Sequence, residues 1–257
     1  MDNSFPSETS EIRELINKYS PIFLEIRKRI FFTLGAFLVS TIVGFVYYEK
    51  IIRLLIELLS LKGVNIVFTS PFQFINLAIS CGVAAGLLIT FPLIVIQILS
   101  FLKPALKRKE FKMITRLLPF SIILFLVGFS FGILVMKWQI QLFLAESVAL
   151  GIGNILDISR LMGIVLLVSS IMGIFFQFPI VIIALVRLGI VSHEQIAKSR
   201  FWVYLSSLIL IFFLPIDSIM ADVLLTLPII FLFEVTLFLN RFSGKRKASA
   251  RLKNLSL

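Results

Sequence analysis

Six apolar runs govern what this chain can fold into. Residues 30–48 carry no polar side chain except Thr33, Ser40 and Thr41 before the Tyr47–Tyr48 pair that ends them. Similar runs occupy 72–102, 117–138, 161–186, 201–214 and 219–239. About 20 apolar residues in a helix cover the ~30 Å hydrocarbon core of a bilayer. Lipid offers no hydrogen bonds to the backbone, so such a run crosses it as a helix. Hydrophobic residues make up 59% of the chain and its mean hydropathy is +1.04, more apolar surface than a soluble domain can bury. The fold class that follows is an all-α integral membrane protein with six transmembrane helices. The last two are short, since 14 residues at 201–214 rise only ~21 Å as a helix.

The polar connections set the orientation. Twenty of the 25 Lys and Arg fall in 1–29, 103–116, 187–200 and 241–257, and five fall in the other connections. This bias puts both termini on the cytoplasmic (or, in an organelle, stromal) side. It also accounts for the net charge of +11 without nucleic acid as a partner. The chain divides into a cytoplasmic amino-terminal segment (1–29), a six-span membrane domain (30–239) and a basic cytoplasmic tail (240–257). The first segment reads as a polar tail, an amphipathic helix around Ile12, Leu15 and Ile16, and a surface helix over 23–29. It does not read as a cleavable signal. Ile51, Leu54, Leu55, Leu58 and Leu59 predict a short outer helix lying on the membrane, and 139–160 a second outer loop with some helical character. Pro92 is expected to kink the long second span. Ser192 and Glu194 are expected to cap a short helix, and the tail from Asn240 to be disordered.

Catalysis and metal binding find no support. Cys81 is the single thiol and His193 the single histidine, so neither a disulfide nor a metal cluster is expected. No nucleophile–base pair and no phosphate-cradling loop stands out; we read no enzyme and no cofactor. The informative residues are polar ones inside apolar runs. Gln177 suits either function or an amide that ties one helix to the next. Asp217, after Pro215, suits a turn or a helix cap, and Asp222 an outer-face charge near water. Glu234, among Leu232, Phe233, Val235 and Leu237, lies near enough to the inner end to reach the interface.

Glu25 and Glu110 form a second set, each at the cytoplasmic surface beside a span and among basic residues. Glu110 closes the loop that Pro104 opens by removing a backbone donor. The local reading pairs Glu25 with Arg29 at i+4 and Glu110 with nearby lysines. The alternative is that both accept guanidinium groups from a ligand, which carboxylates bind side-on in a way lysine cannot copy. Spacing leaves both open. The lysines of 103–112 suit anionic lipid headgroups.

In order, these motifs resemble TatC, the multispanning subunit of the Sec-independent twin-arginine protein translocase. Leu24-Glu25-Ile26-Arg27-Lys28-Arg29 is similar to that family's L-E-L-R-x-R segment, followed by Ser70-Pro71-Phe72, Phe91-Pro92 and Gln97. Phe101-x-x-Pro104-x-Leu106-x-x-x-Glu110 resembles its first cytoplasmic loop. Phe176-Gln177-Phe178-Pro179 with Gly189-Ile190-Val191-Ser192, then Pro215-x-Asp217 and Pro228 with Leu232-Phe233-Glu234, resemble the later spans. The likeness runs over about 20–242. It implies a signal-peptide site at Glu25, Arg27, Phe101, Pro104, Leu106 and Glu110, and polar or structural positions at Gln177, Pro179, Asp217 and Glu234. It also implies proton-gradient-driven export of folded proteins. The implied partners are small single-span TatA/TatB-type subunits, membrane lipid and further copies of the chain within a hetero-oligomeric complex. Two departures stand out. Glutamine replaces the glutamate that many bacterial members carry at Gln177, as in the cyanobacterial and plastid branch, and the histidine before L-E-L-R is missing. The implied location is a bacterial plasma membrane, a plastid thylakoid or another organellar inner membrane. A small-solute transporter or channel is the competing class; it calls for midplane polar residues in two related halves, and the chain has Gln177 and no repeat.

Overall fold

The computed structural model describes residues 8–61, 65–102, 108–151, 155–188, 190–215 and 218–253. Of these, 8–23, 239–253 and residues 65, 66, 99, 101, 102, 109, 110, 113, 155 and 193 are given by backbone alone. Pro104, Leu106 and Asp217 lie outside the described residues.

The first helix, α1 (Glu8–Val46), joins the amphipathic segment and the first apolar run without a break. The expected boundary at residue 30 is therefore a change of side-chain polarity and not of backbone. The chain turns at Tyr47 into α2 (Tyr48–Leu58). Ile52, Leu55, Leu59 and Leu61 are buried in the main core, while Leu54 and Leu58 stay exposed. The helix expected to lie on the membrane thus docks one edge of its apolar face on the protein.

Next come α3 (Gln73–Leu102), with Pro92 inside it, α4 (Arg108–Thr115) and α5 (Leu118–Ala149), which begins on Pro119 in its first turn. The helix α5 runs well past the expected end at residue 138, because Ile140 and Ser147 continue its buried face. The fourth apolar run is two helices, α6 (Ile158–Phe175) and α7 (Phe178–Arg187). Pro179 is the reason: it has no N–H for the carbonyl of Phe175, and its ring would clash there. A short α8 (His193–Lys198) follows, then α9 (Arg200–Phe212) and α10 (Ile219–Lys253). The tail expected to be disordered from Asn240 continues α10 as helix to Lys253; no proline follows Pro228, and Lys, Arg and Ala favour helix. Two three-residue strands, β1 (Asn65–Val67) and β2 (Ile155–Asp157), pair in parallel with Asn65 opposite Ile155 and Val67 opposite Asp157.

Among the described residues, five segments are long and apolar enough to cross a membrane: Leu24–Val46, Gln73–Ile98, Leu118–Ala149, Ile158–Arg187 and Ile219–Phe238. The helix α9 is apolar but shorter, 13 residues or ~20 Å. Small residues let these helices approach closely. A Cβ on Gly82 would stand 2.7 Å from the Thr41 carbonyl, and one on Gly44 2.6 Å from Ala85 Cβ, which fixes the α1–α3 contact. On α5, a Cβ on Gly132 would stand 2.5 Å from Ser169 Cα of α6, and one on Gly128 2.6 Å from the Phe176 ring. Both pairs, Gly82-x-x-x-Gly86 and Gly128-x-x-x-Gly132, follow the small-xxx-small pattern that holds helices together in lipid. Phe91 of α3 and Phe125 of α5 stack at 3.9 Å between centroids. A second cluster, Ile182, Ile196, Phe233 and Leu237, joins α7, α8 and α10, with Tyr204 of α9 packed against it.

Candidate functional site

Where the basic stretch of α1 meets its apolar run, Arg29 is shared between two helices. Its Nη2 and Nε donate to Glu25 Oε1 at 2.5 and 3.1 Å, and its Nη1 donates to Gln97 Oε1 of α3 at 3.2 Å. The i, i+4 spacing with the acid nearer the helix start makes the first contact natural on a helix. The second is tertiary and could not be read from spacing. Glu25 keeps 47% of its side chain exposed against 22% for Arg29, so its carboxylate remains open to water. Arg27 is exposed and lies 5.7 Å from the centre of the Phe31 ring. Beside this contact α1 and α3 part to leave a groove of about 550 Å³. The other half of the expected pair, Glu110, is placed by backbone in the first turn of α4, and Phe101 in the last turn of α3.

Gln177 has a fully employed amide. Ser121 Oγ of α5 donates to its Oε1 at 2.6 Å, while its Nε2 donates to the carbonyls of Ser121 (3.1 Å) and Gly173 (3.4 Å). It sits at the break between α6 and α7, where the missing helical turn leaves the Gly173 carbonyl within reach. Of the two readings open for this residue, the helix-tying one is what the geometry displays. Pro179 is buried in the first turn of α7. Glu234 ties α10 to α9: Tyr204 Oη donates to its Oε1, and Arg200 Nε lies 3.6 Å from the same oxygen. Ser192 caps α8 with Gln195, not Glu194, as its reciprocal partner. Glu25, Gln177 and Glu234 thus occupy three separate contacts.

One organising residue is absent from the sequence reading. Asp157 caps α6, its Oδ1 accepting from the N–H groups of Ser159 (3.0 Å) and Arg160 (3.1 Å). Its Oδ2 accepts from Thr69 Oγ1 and Gln73 Nε2, both at 2.6 Å, and Ser159 Oγ donates to the Gln73 carbonyl. Burial works against its charge, but hydrogen bonds from Thr69, Arg160, Gln73 and Ser159 outweigh it and hold the carboxyl below the usual carboxylate range. An acid just before a long apolar run is a helix-start signal and could have been read as one. Its partners across the strand pair could not.

The fold and these contacts define a multi-pass helical membrane protein, with Glu25, Arg29 and Glu234 each near one end of its apolar segment and Gln177 at a helix break. Residues 21–228 match the family Sec-independent protein translocase protein (TatC). TatCy of Bacillus subtilis (strain 168) is 28% identical over 241 residues, covering 90% of this chain and 92% of that one. TatC of Synechocystis sp. (strain ATCC 27184 / PCC 6803 / Kazusa) is 30% identical over 186 residues, 72% of each. A crystal structure of a twin arginine translocase receptor, TatC, in DDM superposes with a TM-score of 0.76 at 27% identity, over 85% of this chain and 98% of that one. The chain belongs to the TatC family: it is a multi-pass subunit of the twin-arginine, Sec-independent protein translocase.

Proposed function

We propose that this subunit is the signal-peptide receptor of its translocase, with Glu25 and Glu110 seating the paired arginines. The observation that carries this is the Glu25–Arg29 contact. A half-exposed carboxylate at the basic end already holds a guanidinium through two nitrogens, so an incoming arginine has a ready acceptor to compete for. Arg27 lies two residues from Glu25, and Phe101, Pro104 and Leu106 lie within nine residues of Glu110 in sequence. In this reading α9 crosses the membrane as a sixth, short span and both termini face the cytoplasm or stroma. The small single-span subunits dock on the flanks, the chain self-associates within the complex, and the proton gradient drives transport of the folded cargo. No catalytic step is assigned to the chain itself.

The test is crosslinking of the membrane-embedded protein to a signal peptide bearing Arg-Arg or Lys-Lys. Preference for Arg-Arg, weakened about tenfold or more by Glu110→Gln or Glu25→Gln, is the expected outcome, since a hydrogen bond to a charged group is worth ~1.5–3 kcal/mol. Equal crosslinking of both peptides would remove the receptor role from these carboxylates.

A further inference from the structure

The groove between α1 and α3 has two unlike ends. Ile30, Leu34 and Phe37 of α1 face Ile94 of α3 along an apolar wall, and Arg29 with Gln97 puts polar groups near the basic end, where Ile26 and Ile98 also line it. Its two helices touch at the other end, where Gly44, Gly82 and Gly86 allow close approach to Thr41 and Ala85, and part toward Arg29. From Arg29 to Phe37 the helix rises ~12 Å, most of the ~15 Å that half of a ~30 Å hydrocarbon core provides. The helix α1 buries little of its apolar length and packs chiefly on α3, so the groove opens sideways where lipid lies.

We propose that this groove holds an acyl chain of an anionic phospholipid from the leaflet on the basic side, its phosphate drawn to Arg29. Length and polarity match such a lipid at once: apolar wall for most of one leaflet's depth, then a guanidinium where the headgroup sits. The exposed Arg27 and Lys28 on the same turn add positive field, which favours phosphatidylglycerol over zwitterionic lipid. A phosphate on Arg29 competes with Glu25 for the same guanidinium. Resting on the receptor reading above, the lipid would then free the Glu25 carboxylate for a signal peptide's arginine.

The lipid is tested without any peptide. In the full chain carrying Trp138→Phe and Trp202→Phe, Phe37→Trp places one fluorophore in the groove, and Phe45→Trp in a parallel protein places it on exposed α1 surface. Both are reconstituted in phosphatidylcholine nanodiscs containing increasing fractions of brominated phosphatidylglycerol or brominated phosphatidylcholine. At position 37, half-maximal quenching is expected at a phosphatidylglycerol fraction about fivefold lower than for phosphatidylcholine, from ~1 kcal/mol per basic residue engaged. At position 45 the two lipids should quench alike. Arg29→Gln should abolish the difference at 37, and so should Thr33→Leu, which narrows the groove and leaves the charges in place. Equal quenching at 37 by both lipids, or a preference that survives both substitutions, overturns the lipid site. Quenching by a peptide with a brominated apolar segment in place of the lipid would assign the groove to peptide and overturn it as well. If lipid binds, Arg-Arg peptide crosslinking in the same discs should rise with phosphatidylglycerol; a lipid site without peptide preference would leave the lipid proposal standing and the receptor reading refuted.

Discussion

Gln177 shows how one side chain can be legible as important and still open in role. Its amide gives and receives every bond that Ser121 and Gly173 offer. Gln177→Leu should lower stability by ~1 kcal/mol, the scale of interhelical hydrogen bonds in membrane proteins, read as thermal unfolding in detergent. Gln177→Glu keeps the Ser121 hydroxyl bond but turns an acceptor toward two carbonyls, so its melting temperature should fall below the parent's. Asp157 makes stability depend on pH. Its folded pKa lies below the unfolded value of ~3.9. Its stabilising charge is therefore fully present above that value and is lost as pH falls through the lower, folded one. Asp157→Ala should cost ~1 kcal/mol at neutral pH, as lost N-caps do, and should flatten the acid limb of the stability profile.

The elements meet through small residues and through polar ties, among them Gln177–Ser121 and Glu234–Tyr204. Gly132→Val would drive a side chain into the Ser169 backbone, which is 2.5 Å from where its Cβ must stand. Overpacking of this kind costs about 1–3 kcal/mol, and α5–α6 is the contact that should loosen. Gly163, with its nearest neighbour 3.7 Å from an added Cβ, should accept alanine with no loss, which makes it the control. At the other tie, Tyr204→Phe and Glu234→Gln should each destabilise the α9–α10 hairpin. Their double variant should lose less than the sum, because both act on the same hydrogen bond: Tyr204→Phe removes its donor and Glu234→Gln takes the charge from its acceptor. Unfolding midpoints of the four proteins give the coupling directly.

The molecule as a whole is organised by a charge difference between its two ends and by one helix too short for an ordinary bilayer. In a Cys81→Ser background, Lys112→Cys and Lys198→Cys should react with a membrane-impermeant maleimide only in inverted vesicles, and Lys50→Cys and Arg160→Cys only in intact cells. Lys198→Cys and Phe213→Cys flank α9, so labelling from opposite faces is required if α9 crosses. Labelling from one face would leave it re-entrant. A ~20 Å helix that does cross calls for a locally thinned bilayer.

By itself the amino-acid sequence determined the apolar runs, the charge bias between the connections and the order of motifs that places the chain among TatC proteins. Those are properties of composition and of spacing along one strand of chain, and lipid as solvent leaves few ways to satisfy them. The glycine pairs of α3 and α5 carry small-xxx-small spacing, but it took its meaning only from the helices seen packed against them. Tertiary structure alone decided that Arg29 reaches Gln97 68 residues away, that Gln177 meets Ser121, and that Asp157 gathers Thr69 and Gln73 across the strand pair. It also decided that Glu234 answers to Tyr204 and Arg200 of α9. Each of these bonds joins residues from different helices or loops, and helical periodicity fixes only the face a side chain occupies. The partner is fixed by how the helices cross, and that depends on which side chains are small enough to let two backbones approach.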